Sequence, residues 1–123
     1  MILLDTSVWI EGLRERGNPE ISRRVHEYLK SGRACWMPLI RLELWNGARG
    51  EREKRALREF EQVLVELEVT AEVWEAANDL ARRARGAGLT VPAADILIVA
   101  CARHHGVEIE STDAHFAELG KLQ

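Results

Sequence analysis

Residues 1–13, Met1-Ile2-Leu3-Leu4-Asp5-Thr6-Ser7-Val8-Trp9-Ile10-Glu11-Gly12-Leu13, decide the fold. An unbroken apolar run passes directly into the capping trio Asp5-Thr6-Ser7 and then into Val8, Trp9 and Ile10, the pattern of a buried strand handing over to a helix. Asp5 then stands at the carboxyl end of a strand, the edge at which open α/β sheets bind ligands. Taken alone, Asp5 is better explained as a helix cap. Three later acids change that reading.

A chain of 123 residues is expected to form one domain, residues 1–123, with room for a real core. Its 46% hydrophobic and 30% charged residues place it with globular proteins rather than disordered ones. The net charge of −3 excludes a globally electrostatic nucleic-acid binder, so any such contact must use a local cluster of Arg and Lys. Cys35 and Cys101 lie far apart in apolar surroundings and read as small core residues of a reducing compartment. The apolar start is too short for a signal peptide, and no run approaches the roughly 20 residues of a membrane span. A cytoplasmic protein without membrane contact is expected.

Outward from the first helix, Arg14 to Pro19 is a polar loop marked by Gly and Pro, and Pro19 opens a second helix with Ile21, Val25, Tyr28 and Leu29 at helical spacing. His26 on that helix is expected to face solvent or make a local contact. Ala34-Cys35-Trp36-Met37 reads as a short buried strand closed by Pro38, which starts a third helix ending at Gly47. A charged amphipathic helix comes next, with the stripe Ala56, Leu57, Phe60, Val63 and Leu64. Residues 65–69, Val-Glu-Leu-Glu-Val, alternate as an edge strand with one wet face. Thr70 caps a helix whose face Val73, Trp74, Ala77, Leu80, Ala81 and Ala84 suits core packing or a dimer contact, and Gly86-Ala87-Gly88 ends it.

The next helix, from Thr90-Val91-Pro92 to Ala102, is apolar almost all round, as a buried central helix must be. Asp95 is its one acid. An unpaired carboxylate in such a place costs several kcal/mol, so it requires a metal, a cation or a proton. His104 and His105 end this helix as partners of its dipole rather than as ligands. A last alternating strand, Val107 to Ser111, delivers Asp113 to its carboxyl end and so repeats the arrangement of Asp5. Glu43, between Leu42 and Leu44 near the start of the third helix, has a bland reading as a solvated helix residue but lies close to the same edge.

Alternating strands and helices imply right-handed crossovers and a parallel sheet, which gathers Asp5, Glu43, Asp95 and Asp113 at one edge. Four adjacent carboxylates repel, and at least one pKa rises unless a cation relieves them. Ligation by oxygen alone, with no Cys or well-placed His, points to Mg²⁺ or Mn²⁺ rather than zinc. Such a site suits phosphodiester hydrolysis.

Leu3-Leu4-Asp5-Thr6-Ser7, Arg41-Leu42-Glu43-Leu44-Trp45-Asn46-Gly47, Ala94-Asp95-Ile96-Leu97-Ile98 with Ala100, and Ser111-Thr112-Asp113-Ala114-His115-Phe116 resemble the four signature segments of PIN-domain ribonucleases. They are most similar to the VapC-type toxins of toxin–antitoxin pairs. The resemblance implies a PIN-like, Rossmann-like α/β/α sandwich with a central parallel sheet of four or five strands. It implies a Mg²⁺- or Mn²⁺-dependent endoribonuclease with Asp5, Glu43, Asp95 and Asp113 as catalytic and metal-binding acids, and Thr6 or Ser7 as an accessory hydroxyl. It also implies RNA as substrate, a homodimer, inhibition by a VapB-like antitoxin, and DNA contact only through that antitoxin. Trp9, Leu42, Trp45 and Phe60 are the apolar residues available to line an antitoxin groove, although all fit a core equally. Where family members often carry a further Asp or Asn two residues beyond the fourth acid, this chain has His115.

The substrate rim is expected among Arg14, Arg16, Arg41, Arg49 and Arg52. A phosphoacceptor receiver domain is excluded because Ser111-Thr112-Asp113, at the end of the last strand, supplies no Lys, and a haloacid-dehalogenase-like phosphatase because Ser7 stands where a second Asp is needed. A catalytically idle PIN-fold binding module in an antitoxin and operator complex is the remaining alternative, and the intact acid quartet counts against it.

Overall fold

The structure, a computed structural model, describes residues 1–122. In chain order these form β1 (Ile2–Leu4), α1 (Thr6–Leu13), α2 (Pro19–Lys30), β2 (Ala34–Trp36), α3 (Pro38–Gly47), α4 (Glu51–Val63), β3 (Val65–Glu66), α5 (Ala71–Gly86), α6 (Ala93–His105), β4 (Glu108–Glu110) and α7 (Ala114–Leu119). The strands make one parallel sheet in the order β3-β2-β1-β4. From β1 the chain moves outward to β2 and β3, then crosses back to place β4 on the other side of β1. Right-handed crossovers put α1 to α4 on one face and α5 and α6 on the other. The main helix contacts respect that division: α1 meets α2 and α3, α3 meets α4, and α6 meets α5 and α7. This is the expected α/β/α sandwich, with a four-stranded sheet.

β1 and β2 read as continuous apolar runs because a parallel sheet covered on both faces buries every residue of its inner strands. Beneath α1 to α4, Trp9, Trp36 and Phe60 form an aromatic cluster with ring centroids 5.2 to 6.3 Å apart. On the opposite face α6 buries Ile96 through Ala102 without a break. Gly106 ends α6 in the left-handed conformation, φ 66°, which a Cβ disfavours, and turns the chain into β4. The register of β4 on β1 pairs Leu4 with Glu110, and the Asp5 N–H donates to the Glu110 carbonyl at 3.1 Å. Asp5 and Ser111 therefore leave the sheet side by side, where the order of strands reverses direction.

Three local expectations differ from the structure. β3 pairs over two residues rather than five, because its partner β2 stops at Trp36 and Met37 already caps α3; only the Leu67 N–H, bonded to the Trp36 carbonyl at 2.8 Å, prolongs the contact. Trp74 lies off the α5 core stripe, which is Val73, Ala77, Leu80 and Ala84, since the next residue along a helix is turned by about 100°; its side chain is 53% exposed. Val63, expected on the apolar stripe of α4, is exposed at the last residue of that helix, where the chain turns into β3. Cys35 and Cys101 are buried and free, as expected for small core residues, and His26 is exposed with its Nδ1 at 2.7 Å from the Ser22 carbonyl.

This packing makes two outcomes measurable. Trp9→Ala empties the centre of the aromatic cluster and lowers stability by about 3–5 kcal/mol, measured by urea unfolding. Burial pushes both thiols up to about 11, so near pH 8 roughly one thiol in a thousand is ionised. Iodoacetamide should leave Cys35 and Cys101 unmodified in native buffer and label both in denaturant, read by mass spectrometry.

Candidate active site

Asp5 is the one charged residue fully buried among the described residues, at 5% exposure. It caps α1, accepting from the Val8 N–H at 3.3 Å, as its position after the apolar run implies. The same carboxylate also accepts from two hydroxyls, Ser7 Oγ on Oδ1 and Ser111 Oγ on Oδ2, both at 2.6 Å. Ser111 stands 106 positions away in the chain and reaches Asp5 only because β1 and β4 are in register. The Asp113 N–H donates in turn to Ser111 Oγ at 2.9 Å, so one hydroxyl ties the ends of both strands together. This bridging role of Ser111 leaves no trace in local periodicity.

Asp113 caps α7 through the His115 N–H at 2.8 Å. That cap fixes the backbone of His115 so that its ring turns inward, with Nδ1 at 2.9 Å from Asp113 Oδ1 and 3.2 Å from Asp95 Oδ2. Asp95 arrives in the first turn of α6, where the helix dipole favours a negative charge. Its carboxyl is nevertheless held above the ordinary Asp value. Burial is the main cause, Asp113 and more weakly Asp5 add repulsion, and His115 opposes them. The rise expected of crowded acids thus falls on Asp95.

Glu43 joins the group by another route. Its Oε1 accepts from Thr6 Oγ1 at 2.8 Å, which fastens α3 to the start of α1 beside Asp5. The two hydroxyls expected near a metal or its waters are therefore occupied in orienting acids, Thr6 for Glu43 and Ser7 for Asp5. Glu43 also lines a cleft of about 450 Å³ between α1, α3 and α4, together with Ile10, Arg14 and Arg49. Of the other expected rim residues, Arg16 is exposed. Arg41 is engaged with Glu61 and Glu66, and Arg52 donates to the Leu13 carbonyl.

The four apolar residues considered for a partner groove separate. Trp9 is fully buried in the core, yet it forms part of the wall of a cleft it shares with Phe60. Phe60 is half-buried against it and lines, with Leu13, Val25 and Leu29, a second cleft of about 290 Å³ between α1, α2 and α4. Trp45 donates its Nε1–H to Glu61 at 3.2 Å, and Leu42 is 62% exposed. His105 Nε2 lies 2.8 Å from the Glu68 carbonyl, a structural contact away from the acids.

One ligand atom each from Asp95, Asp113 and His115 lies within 4.8 Å of the others, so the residues fit a bound cation. Crowded carboxylates, of which Asp95 is held above its ordinary value first by burial and then by Asp113, are short of positive charge, which a divalent ion would supply.

Comparison with known proteins bears on the family and the fold. The PIN domain family model matches residues 2–122. Ribonuclease VapC11 of Mycobacterium tuberculosis and a VapC ribonuclease of Mycobacterium bovis are each 33% identical over 127 residues, covering 99% of this chain and 93% of the relative. The chain is also similar in fold to FitAcB from Neisseria gonorrhoeae, with a TM-score of 0.73 at 21% identity, covering 98% of this chain and 94% of that one. DNA-bound VapBC from Salmonella typhimurium gives a TM-score of 0.76 at 18% identity, covering 95% and 89%.

Asp95→Asn gives an expectation whose sign comes from linkage. A carboxyl with a folded pKa above 3.8 costs stability when ionised; the cost is absent well below that value, grows as pH rises through the folded pKa, and is complete at neutrality. In chelator at neutral pH the variant should melt higher than the parent, with the difference shrinking as the pH approaches 4, in thermal denaturation scans.

Proposed function

The chain belongs to the PIN domain family, and on that footing we propose that it is a divalent-cation-dependent endoribonuclease acting as the toxin of a toxin–antitoxin pair. The observation that carries the reading is the β1–β4 register, which sets Asp5 beside Ser111 and Asp113, while Asp95 on α6 is near enough to feel the charge of Asp113 and, more weakly, of Asp5. Asp5, Glu43, Asp95 and Asp113 are the residues proposed to hold the ion, Mg²⁺ or Mn²⁺, and to carry catalysis. The names of the mycobacterial relatives support ribonuclease activity, and the VapBC structures support a VapB-like antitoxin, with DNA reached through that partner.

When bound, a divalent ion supplies Lewis-acid chemistry, acidifying water and offsetting charge on the leaving oxygen of a phosphodiester. The chain's own residues do the positioning. Ser7 and Ser111 hold the Asp5 carboxylate in one orientation, so little reorganisation is needed when substrate charge arrives. Thr6 does the same for Glu43 in the lining of the cleft of about 450 Å³. Arg14 and Arg49 on that cleft suit the backbone of single-stranded RNA, and its apolar wall of Ile10 and Leu13 suits a base. A cytoplasmic location and a homodimer complete the reading; Trp74 on α5 and Leu42 on α3 offer exposed apolar surface for contacts between chains.

Asp5→Asn and Asp95→Asn should each lower metal-dependent RNA cleavage by about a hundredfold or more while leaving the circular dichroism spectrum intact. Sequencing RNA ends after induction of the parent chain in cells should show discrete cuts that both variants lack. Cuts of equal yield from parent and variants would overturn the site, and growth arrest without any cuts would favour an idle binding module.

A further inference from the structure

His115 is the residue at which this chain departs from the acidic pattern it otherwise resembles, and its ring is the part of the site that an all-oxygen donor set does not account for. The imidazole keeps 37% of its side chain exposed but is held against the acids on its Nδ1 side. Its backbone N–H is fixed by the Asp113 cap, and its Nδ1 is aimed between two carboxylates from different elements, α6 and the β4–α7 connection. Two neighbouring ligands on an octahedral ion with bonds of about 2.1 Å lie about 3.0 Å apart. Nδ1 stands 2.9 and 3.2 Å from Asp113 Oδ1 and Asp95 Oδ2, the separations that adjacent positions around one ion require.

We propose that His115 ligates the divalent ion through Nδ1 beside Asp95 and Asp113, making a mixed nitrogen–oxygen site that prefers a first-row transition-metal dication to Mg²⁺. The inference rests on the metal-dependent reading above and names the donor that sets its selectivity. Two effects act in one direction. Imidazole is a good ligand for transition metals and a poor one for hard Mg²⁺, which demands oxygen and keeps its waters. A neutral ring in place of a carboxylate also removes one negative charge from the cluster, and Mg²⁺ binding depends most on that charge. The other histidines do not compete for the role: His26 bonds the Ser22 carbonyl and His105 the Glu68 carbonyl, while His104 stacks edge-on against His105 at the far end of α6.

Mn²⁺ is the probe, because its unpaired electrons report directly on ligand nitrogen. Binding to the purified chain is monitored by electron paramagnetic resonance, with Mg²⁺ as competitor, and pulsed echo-modulation spectra are taken on the parent, His115→Gln and His115→Asp. The expected result is imidazole nitrogen modulation in the parent that disappears in both variants, with the preference for Mn²⁺ over Mg²⁺ falling about tenfold in His115→Asp. Mn²⁺ bound by the parent without nitrogen modulation, or with modulation that survives both substitutions, overturns the ligand assignment and leaves the acid site standing. No Mn²⁺ bound by the parent at millimolar concentration overturns the metal-dependent reading and this inference with it.

Discussion

A carboxylate at the end of the central strand has to be stabilised where water cannot reach it, and much of the local architecture answers that demand. Left unpartnered, Asp5 would cost several kcal/mol. It receives one backbone N–H from its own helix and two hydroxyls, one from two residues ahead and one from the far end of the chain. The last of these exists only when β4 is paired with β1 in the observed register. A slip of one residue would turn the side chains of β4 to the opposite face of the sheet and carry Ser111 away from Asp5. Sheet register and site geometry are therefore one constraint, and a change that loosens β4 must disturb both.

Charge sets the second level of order. Burial first, then the nearness of Asp113 and more weakly of Asp5, makes Asp95 hold its proton more tightly than an ordinary aspartate, even though it sits at a favourable helix end. The group remains folded because α6 brings a continuous apolar surface from Ile96 to Ala102 against the rest of the chain, and because His115 inserts a ring between the two outer acids. Burying a Leu or Ile side chain contributes roughly 1.5–3 kcal/mol. The apolar helix thus outweighs the cost of the acid it carries, and a destabilised site on a well-packed support is what differential binding of a cation requires.

Much of this is legible in the sequence. The Met1–Leu4 run ahead of Asp5 locates β1 and its cap, the all-round apolar stretch locates α6 with its single acid, and the repeat of strand then Asp locates Asp113. Each signal is local, carried by periodicity or by a cap. The features that escape are relational. That Ser111 bridges Asp5 and Asp113, or that Thr6 spends its hydroxyl on Glu43, depends on contacts between residues 106 and 37 positions apart. His115 is visible as a departure from the family pattern, but the inward turn of its ring comes from the Asp113 cap. The brevity of β3 comes from Pro38 closing its partner strand, a property of a neighbour rather than of residues 65–69 themselves.

The strands, two or three residues long, tie the site to the helices around it. With so few ladder hydrogen bonds, the sheet depends on helices packed against both faces, so each strand end is held by the helix next in the chain: α1 after β1 and α7 after β4. Both helices begin at an acid of the site, Asp5 and Asp113. Each acid is thus simultaneously a cap that starts a helix and a charge at the site. Binding a cation need not displace either cap: of about four acceptor positions on a carboxylate, Asp5 uses three, for Val8 N–H and the two hydroxyls, and Asp113 uses one for its cap, so each keeps a position free. The fold can hold its acids rigidly for structural reasons and still present their remaining lone pairs to an ion.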